Sequence, residues 1–394
     1  MVNSSRADRR STVGVGVLFA SNGALFAALL PWYPLLTGRM GLTATEFGLV
    51  VASFAVGAII SSGLPPRLIA RLGPVRVSLL GTAVLAAAVA AVAWAPTGGA
   101  FALALFVAGF VDAIVDVAQN VAGVRVQDAV GRPILSSMHA LWSLGGVASG
   151  ALSTMSAASG ADARLHLAIL AVSGTALVAL GGWLIGPLAD NSPSDTADAG
   201  PSEAGRRRWR SVAVLALPLV VVAICGTTVE DVANNWAALS GVRLAGLDAA
   251  VAGTAFTVTI GSQCVGRFTG DLMIGRFGAG RVARIGGGLI ALGGVLIVSA
   301  TSPLPLIAGL ILAGYGSATL VPSAFNAAAR LPGIGQGGGV TLISWLMRLG
   351  FLATSPIIGV ITDSAGLRWG MGILILIGIT TVALGGVLDR HGAR

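Results

Sequence analysis

Two aspartates, a glutamine and an asparagine interrupt the stretch GFVDAIVDVAQNVAG at residues 109–123, inside a run that is otherwise apolar from Phe101 onward. Asp112, Asp116 and Asn120 recur at four-residue intervals. On a helix they form one polar stripe, with the carboxylates about 6 Å apart along the axis. A carboxylate facing hydrocarbon is costly, so such a stripe belongs against a bundle interior or a hydrated path, where it can carry a proton or meet a polar solute. Desolvation and a neighbouring like charge both favour the neutral acid, and hydration favours the carboxylate. A group that alternates between those surroundings takes up and releases a proton. A second cluster, EDVANNWAA at residues 230–238, sets Glu230, Asp231, Asn234, Asn235 and Trp236 in another apolar run. Isolated polar groups sit in further apolar runs: Asn22, Gln263, Asn326, and Arg348 close to Trp345.

The elements that must position these groups are membrane spans. Of 394 residues, 55% are hydrophobic and only 10% charged. Apolar runs of about 18–25 residues recur along almost the whole chain, each long enough to cross a hydrocarbon core of about 30 Å. The 57 glycines suit helices whose backbones approach closely. Every one of the 24 basic residues is arginine, which reads as the compositional bias of a GC-rich genome. Most lie in short loops, so the net charge of +8 is no sign of a nucleic-acid partner. Cys225 and Cys264 both fall in predicted spans and imply neither a disulfide frame nor a zinc site. No nucleotide-binding loop is present, and neither catalytic residues, a metal nor a cofactor is expected. The segment before residue 12 is too polar for a signal peptide.

The expected architecture is an all-α polytopic membrane protein with twelve transmembrane helices in two six-helix bundles. Residues 1–11 are expected to be a disordered cytoplasmic tail, 12–188 the N-terminal bundle and 212–388 the C-terminal bundle. Between them, residues 189–211 are rich in Pro, Ser, Asp and Gly, end in an arginine cluster and read as a solvated cytoplasmic linker. Residues 389–394 form a second cytoplasmic tail. With the tails inside, 19 of the 24 arginines fall on the cytoplasmic side and four outside, with Arg348 left within its span. The positive-inside rule therefore places both termini in the cytoplasm. Arg71-Leu72-Gly73-Pro74-Val75-Arg76-Val77 and Gly81 are echoed 205 residues later by Arg276-Phe277-Gly278-Ala279-Gly280-Arg281-Val282 and Gly286. The same offset pairs Ser143-Leu144-Gly145 with Arg348-Leu349-Gly350, and Gly109 with Gly314. Two parallel, pseudo-symmetric halves related by duplication are the architecture of a rocking transporter.

Over nearly its full length the chain resembles the major facilitator superfamily. Twelve spans, a central linker and a doubled arginine-glycine loop all match. The second copy of that loop, with Arg267, Asp271, Gly278 and Arg281, is close to the family signature. The first, with Gly73 and Arg76, has Pro66 where the signature has an aspartate. The resemblance implies a gating role for these loops, not ligand contact. GRPILSSMHALWSLGG at residues 131–146 and the 230–238 stretch look like the branch related to fucose permease. That fold implies that spans 1, 4, 7 and 10 line a cavity, spans 2, 5, 8 and 11 wall it, and spans 3, 6, 9 and 12 face lipid. The polar groups sort accordingly into the inner eight.

Proton coupling is expected at Asp112, Asp116 or Glu230, because the deep set holds three or four carboxylates against one deep arginine. A purely structural pairing of Asp112 or Asp116 with Arg348 is the competing role. Fucose permease carries a protonatable carboxylate in its fourth span and another in its first, where this chain has only Asn22. Candidate solute contacts are Asn22, Asn120, Asn234, Asn235, Trp236, Gln263, Asn326, Trp345 and Arg348, since amides pair with hydroxyls and aromatic faces stack on sugar rings. Arg348 serves equally as counter-ion or solute anchor. His139 and Trp142 read as helix-end bonding and packing. The expectation is a proton-coupled carrier of a small polar, sugar-like solute, working as a monomer in a bacterial inner membrane, and not an enzyme. Proton-driven export of drug-like or cationic metabolites is the alternative. The span-5 sequence SLGGVASG lacks the proline of family antiporters and favours uptake.

Overall fold

The computed structural model describes residues 2–131, 134–186, 206–328, 331 and 336–390. It is helical throughout these residues. Twelve long helical segments follow one another: α1 (Arg9–Met40), α2 (Ala44–Ser61), α3 (Pro74–Trp94), α4 (Gly98–Val130), α5 (Leu135–Ala158), α6 (Ala163–Ile185), α7 (Ala216–Ala245), α8 (Gly253–Phe277), α9 (Ala279–Ser299), α10 (Pro303–Ala328), α11 (Gln336–Ala365) and α12 (Leu367–Leu384). Ten are long and apolar enough to cross a bilayer among the described residues. The other two, α5 and α8, have 24 and 25 residues; α5 is rich in serine, and α8 carries Arg267, Asp271 and Arg276.

Local chemistry sets the helix ends. Thr97 caps α4 by accepting from the Ala100 amide at 3.3 Å, and Asp162 caps α6 by accepting from the Arg164 amide at 2.8 Å. Gly73 opens the helix Pro74–Ala91 at φ 79°, ψ 155°, and Gly278 opens α9 at φ 83°, ψ 151°. Only glycine adopts that backbone freely, and the 205-residue repeat reproduces it within a few degrees.

By their contacts the helices fall into two units. One comprises Met1–Leu42 and Val50–Ala197, the other Thr43–Leu49 and Asp198–Arg394. In the first, α1 packs on α5 and α6, while α3 packs on α4 and α6. In the second, α7 packs on α11 and the last turns of α10, while α9 packs on α10 and α12. The repeat governs packing as well as sequence. A side chain at Gly109 would run into the Phe54 carbonyl and one at Gly314 into the Thr259 carbonyl, and residues 54 and 259 are again 205 apart. Large apolar side chains line the outer faces of α6, including Val172 and Trp183, and of α12, including Leu376 and Ile379. Such faces belong in lipid.

Three boundaries differ from expectation. The first helix runs Val2–Ala28, so residues 2–11 continue α1 and do not form a disordered tail. Its start is docked: the Arg10 guanidinium lies 4.0 Å from the Trp183 ring centre and donates to the Trp183 carbonyl, and the Ser11 hydroxyl donates to the Ile185 carbonyl. Arginine stacked on an indole buries surface that a polarity count does not register. Helix Arg206–Asp231 takes in the arginine cluster that ends the linker, while residues 189–205 of that linker lie outside the described residues. The eighth helix, whose apolar run from Ala249 ends at Phe268 in the sequence, stays helical to Phe277.

Candidate functional site

In the first unit the stripe on α4 meets α1 and α5. Asn22 of α1 is buried and donates through Nδ2 to Asp112 Oδ1 at 3.2 Å. Its own Oδ1 accepts from Trp142 Nε1 of α5 at 2.7 Å. The indole thus fixes which way the amide points, and the amide presents its donor to the carboxylate. Asp112 is half-buried at this junction. One turn on, Asp116 is exposed, and Asn120 donates to its Oδ1 at 3.1 Å and to its carbonyl at 2.9 Å. Gln119 points the other way and is buried, its Nε2 without a partner among the described residues. The four-residue spacing therefore places Asp112, Asp116 and Asn120 on one accessible face.

In the second unit the neighbouring carboxylates of α7 go to different partners. Glu230 is half-buried and its Oε1 accepts from Arg267 Nη2 at 2.7 Å and from Gln263 Nε2 at 3.0 Å, both on α8. Asp231 is buried, with 4% of its surface exposed. Its Oδ1 accepts from Asn235 Nδ2 at 2.9 Å and its Oδ2 from the Ser355 hydroxyl of α11. Ser355 in turn accepts from Trp236 Nε1 at 3.0 Å. Residues 232–236 form a single wide π-helical turn. Successive side chains of an α-helix point about 100° apart, and the widened turn brings Asn235 and Trp236 onto one serine. Such turns concentrate at functional sites.

No family model matches the chain. An uncharacterised transporter of Sinorhizobium fredii is 28% identical over 386 residues, covering 96% of this chain and 98% of the relative. An uncharacterised MFS-type transporter of Yersinia pestis is 28% identical over 386 residues, covering 96% of each chain. In fold the chain is similar to a D-xylose–proton symporter, with a TM-score of 0.72 at 15% identity over 98% of this chain and 97% of that one. These likenesses give the chain the fold of MFS transporters. It is an all-helical, multi-pass membrane protein with bacterial relatives.

The remaining candidates are dispersed. Asn234 is half-buried and makes no side-chain hydrogen bond among the described residues, Asn326 and Trp345 are exposed, and Arg348 is half-buried on α11. Of the gating residues, Arg76 and Arg281 are exposed beside Gly73 and Gly278. Arg267 lies within α8 as the partner of Glu230, so the deep carboxylates face one more guanidinium than the sequence count allowed. The side chain of Asp271, like residues 132 and 133 of the 131–146 stretch, lies outside the described residues. His139 stands edge-on to Phe19, with ring centres 5.2 Å apart. Two participants were missed by sequence reasoning. Trp142 bonds Asn22 and is more than packing, and Ser355 joins Asp231 to Trp236. Ser355 precedes Pro356 inside a helix, and that pair was its only signal.

Proposed function

We propose that this transporter takes up a small polar, sugar-like solute by alternating access driven by proton entry, in a bacterial inner membrane with both termini cytoplasmic. The observation that carries the proposal is the contact of Asn22 with Asp112, an amide held by an indole against a half-buried carboxylate on a face that also bears Asp116 and Asn120. Protonation of Asp112 changes what Asn22 Nδ2 can donate to, so proton and solute compete for or share the same amide. Asp112 is the coupling site in this proposal and Asp116, one turn nearer the cytoplasm, hands the proton on. Asn22, Asn120 and Trp142 contact the solute. Glu230 holds Arg267 and organises the second unit. The solved symporter of similar fold is named for a sugar and a proton, which supports the solute class. The resemblance of residues 131–146 to the fucose permease branch points the same way.

The test is accumulation of a panel of radiolabelled sugars and polyols in cells, with and without an uncoupler, followed by proton uptake in proteoliposomes with the solute so found. Asp112→Asn should bind and exchange solute yet lose gradient-driven accumulation, because the amide is near isosteric with the acid but releases no proton. Undiminished proton coupling in Asp112→Asn, Asp116→Asn and the double variant would overturn the assignment. Uncoupler-enhanced retention of cationic dyes would establish export instead.

A further inference from the structure

The seven residues Thr43–Leu49 follow α1 in sequence, yet they group with the second unit. Three features hold them along α11. Gly48 lies against the Ser355 carbonyl so closely that a β-carbon there would collide with it, and Gly359 lies as closely against the Ala44 carbonyl. Asp363 then caps the start of α2, accepting from the Ala44 amide at 3.0 Å and the Thr45 amide at 2.7 Å. Residues 355, 359 and 363 are successive turns of one helix face. Phe47, 1% exposed, stands edge-on to Trp236 with ring centres 5.5 Å apart. The segment therefore covers the serine and the indole that complete the Asp231 cluster.

Asp231 has no cation among the described residues; every partner it makes is a neutral donor. The charged groups on the elements around it are engaged or displaced along their helices. Glu230 turns to Arg267. Arg348 and Asp363 lie about 10 and 12 Å along α11 from Ser355, on opposite sides of it. Glu46 of the covering segment accepts from the Thr43 amide at 2.9 Å. The last turns of α10 and residues Ile373–Leu384 of α12 contribute no charged group, and Arg368 at the start of α12 donates to the Val298 carbonyl at 2.6 Å.

We infer that Asp231 is a proton-binding site closed by residues 43–49. It is neutral while the segment covers it and ionises when the segment lifts and water reaches Ser355, so that the proton on Asp231 sets how firmly the segment stays down. A buried carboxyl served only by neutral donors is stable as the acid, and an ionised one drives its cover off. The inference does not depend on Asp112 and goes beyond the solute-coupled reading.

The experiment follows hydrogen exchange of the Ala44 and Thr45 amides across a pH series in the full-length transporter in liposomes, corrected for intrinsic exchange. Wild type should lose protection as pH rises, by up to about tenfold per pH unit, the limit for one linked proton. Asp231→Asn should hold protection high and flat. Ser355→Ala should move the fall to higher pH, since ionised Asp231 has then lost a hydroxyl that donates to it; this variant keeps the test alive should Asp231→Asn not fold. Asp363→Asn should lower protection throughout while keeping the fall. A flat wild-type profile, or a fall unchanged in Asp231→Asn, overturns the inference. No solute is needed, so coupling lost in Asp112→Asn beside an unchanged profile in Asp231→Asn sinks this inference alone.

Discussion

Asp112 and Glu230 show how differently two helix-borne carboxylates are used. Asp112 meets an amide that an indole holds in place, whereas Glu230 meets a guanidinium. Removing Trp142's donor with Trp142→Phe should free the Asn22 amide to rotate. The expected loss is about 1 kcal/mol, the worth of one neutral hydrogen bond, read as roughly fivefold weaker solute binding by calorimetry with the fold unchanged. Arg267→Ala should lower the detergent melting temperature by a few degrees. The pair is partly exposed, so the cost is about 1–2 kcal/mol and not that of a fully buried charge. Glu230→Gln added to it should recover most of the loss. Sequence alone marked Asp112, Asp116 and Asn120 because their spacing is a local property of one helix. It did not mark their partners, because Asn22 and Trp142 lie 90 and 30 residues away from Asp112 and only packing unites them. Asp231 was seen and ranked below Glu230 for the same reason: the two are adjacent in sequence, and what separates them is that one faces α8 and the other α11.

The paired turns at Gly73 and Gly278 were legible as a repeat, and their backbone shows why glycine recurs there. Alanine at either position should cost about 1–3 kcal/mol of strain, measured as reduced thermal stability of the purified protein. Similar losses at both would reflect their matched geometry. A bulky residue at either turn should also slow conformational exchange more than it weakens solute affinity, because these loops join spans that slide past each other. Equal losses in both would indicate misfolding. What the sequence did not disclose is where helices depart from ideal form. α1 tightens into a 3-10 turn at Leu30–Trp32, and α7 widens at Val232–Trp236. The first has prolines to announce it, Pro31 and Pro34. The second reads as an unbroken helix, because the wide turn answers to the contacts of Asn235 and Trp236 with Ser355 and not to local propensity.

At the scale of the molecule, a cysteine at Ser194, in the stretch outside the described residues, should react with impermeant maleimide only from the cytoplasmic side. Labelling from outside would overturn the proposed orientation. The division into two six-helix units follows from the duplication, with one exception that no repeat could foretell. Residues 43–49 are encoded with the first unit and housed in the second. A gene cut at the linker would therefore not yield two self-sufficient polypeptides. The C-terminal product, made alone, would lack the phenylalanine that sits on Trp236 and the amides that satisfy Asp363, and so would present an apolar, half-capped groove. That piece should be degraded or aggregate when produced by itself, and be rescued by co-production of the N-terminal piece. A peptide of the 43–49 sequence supplied in excess should compete with that rescue.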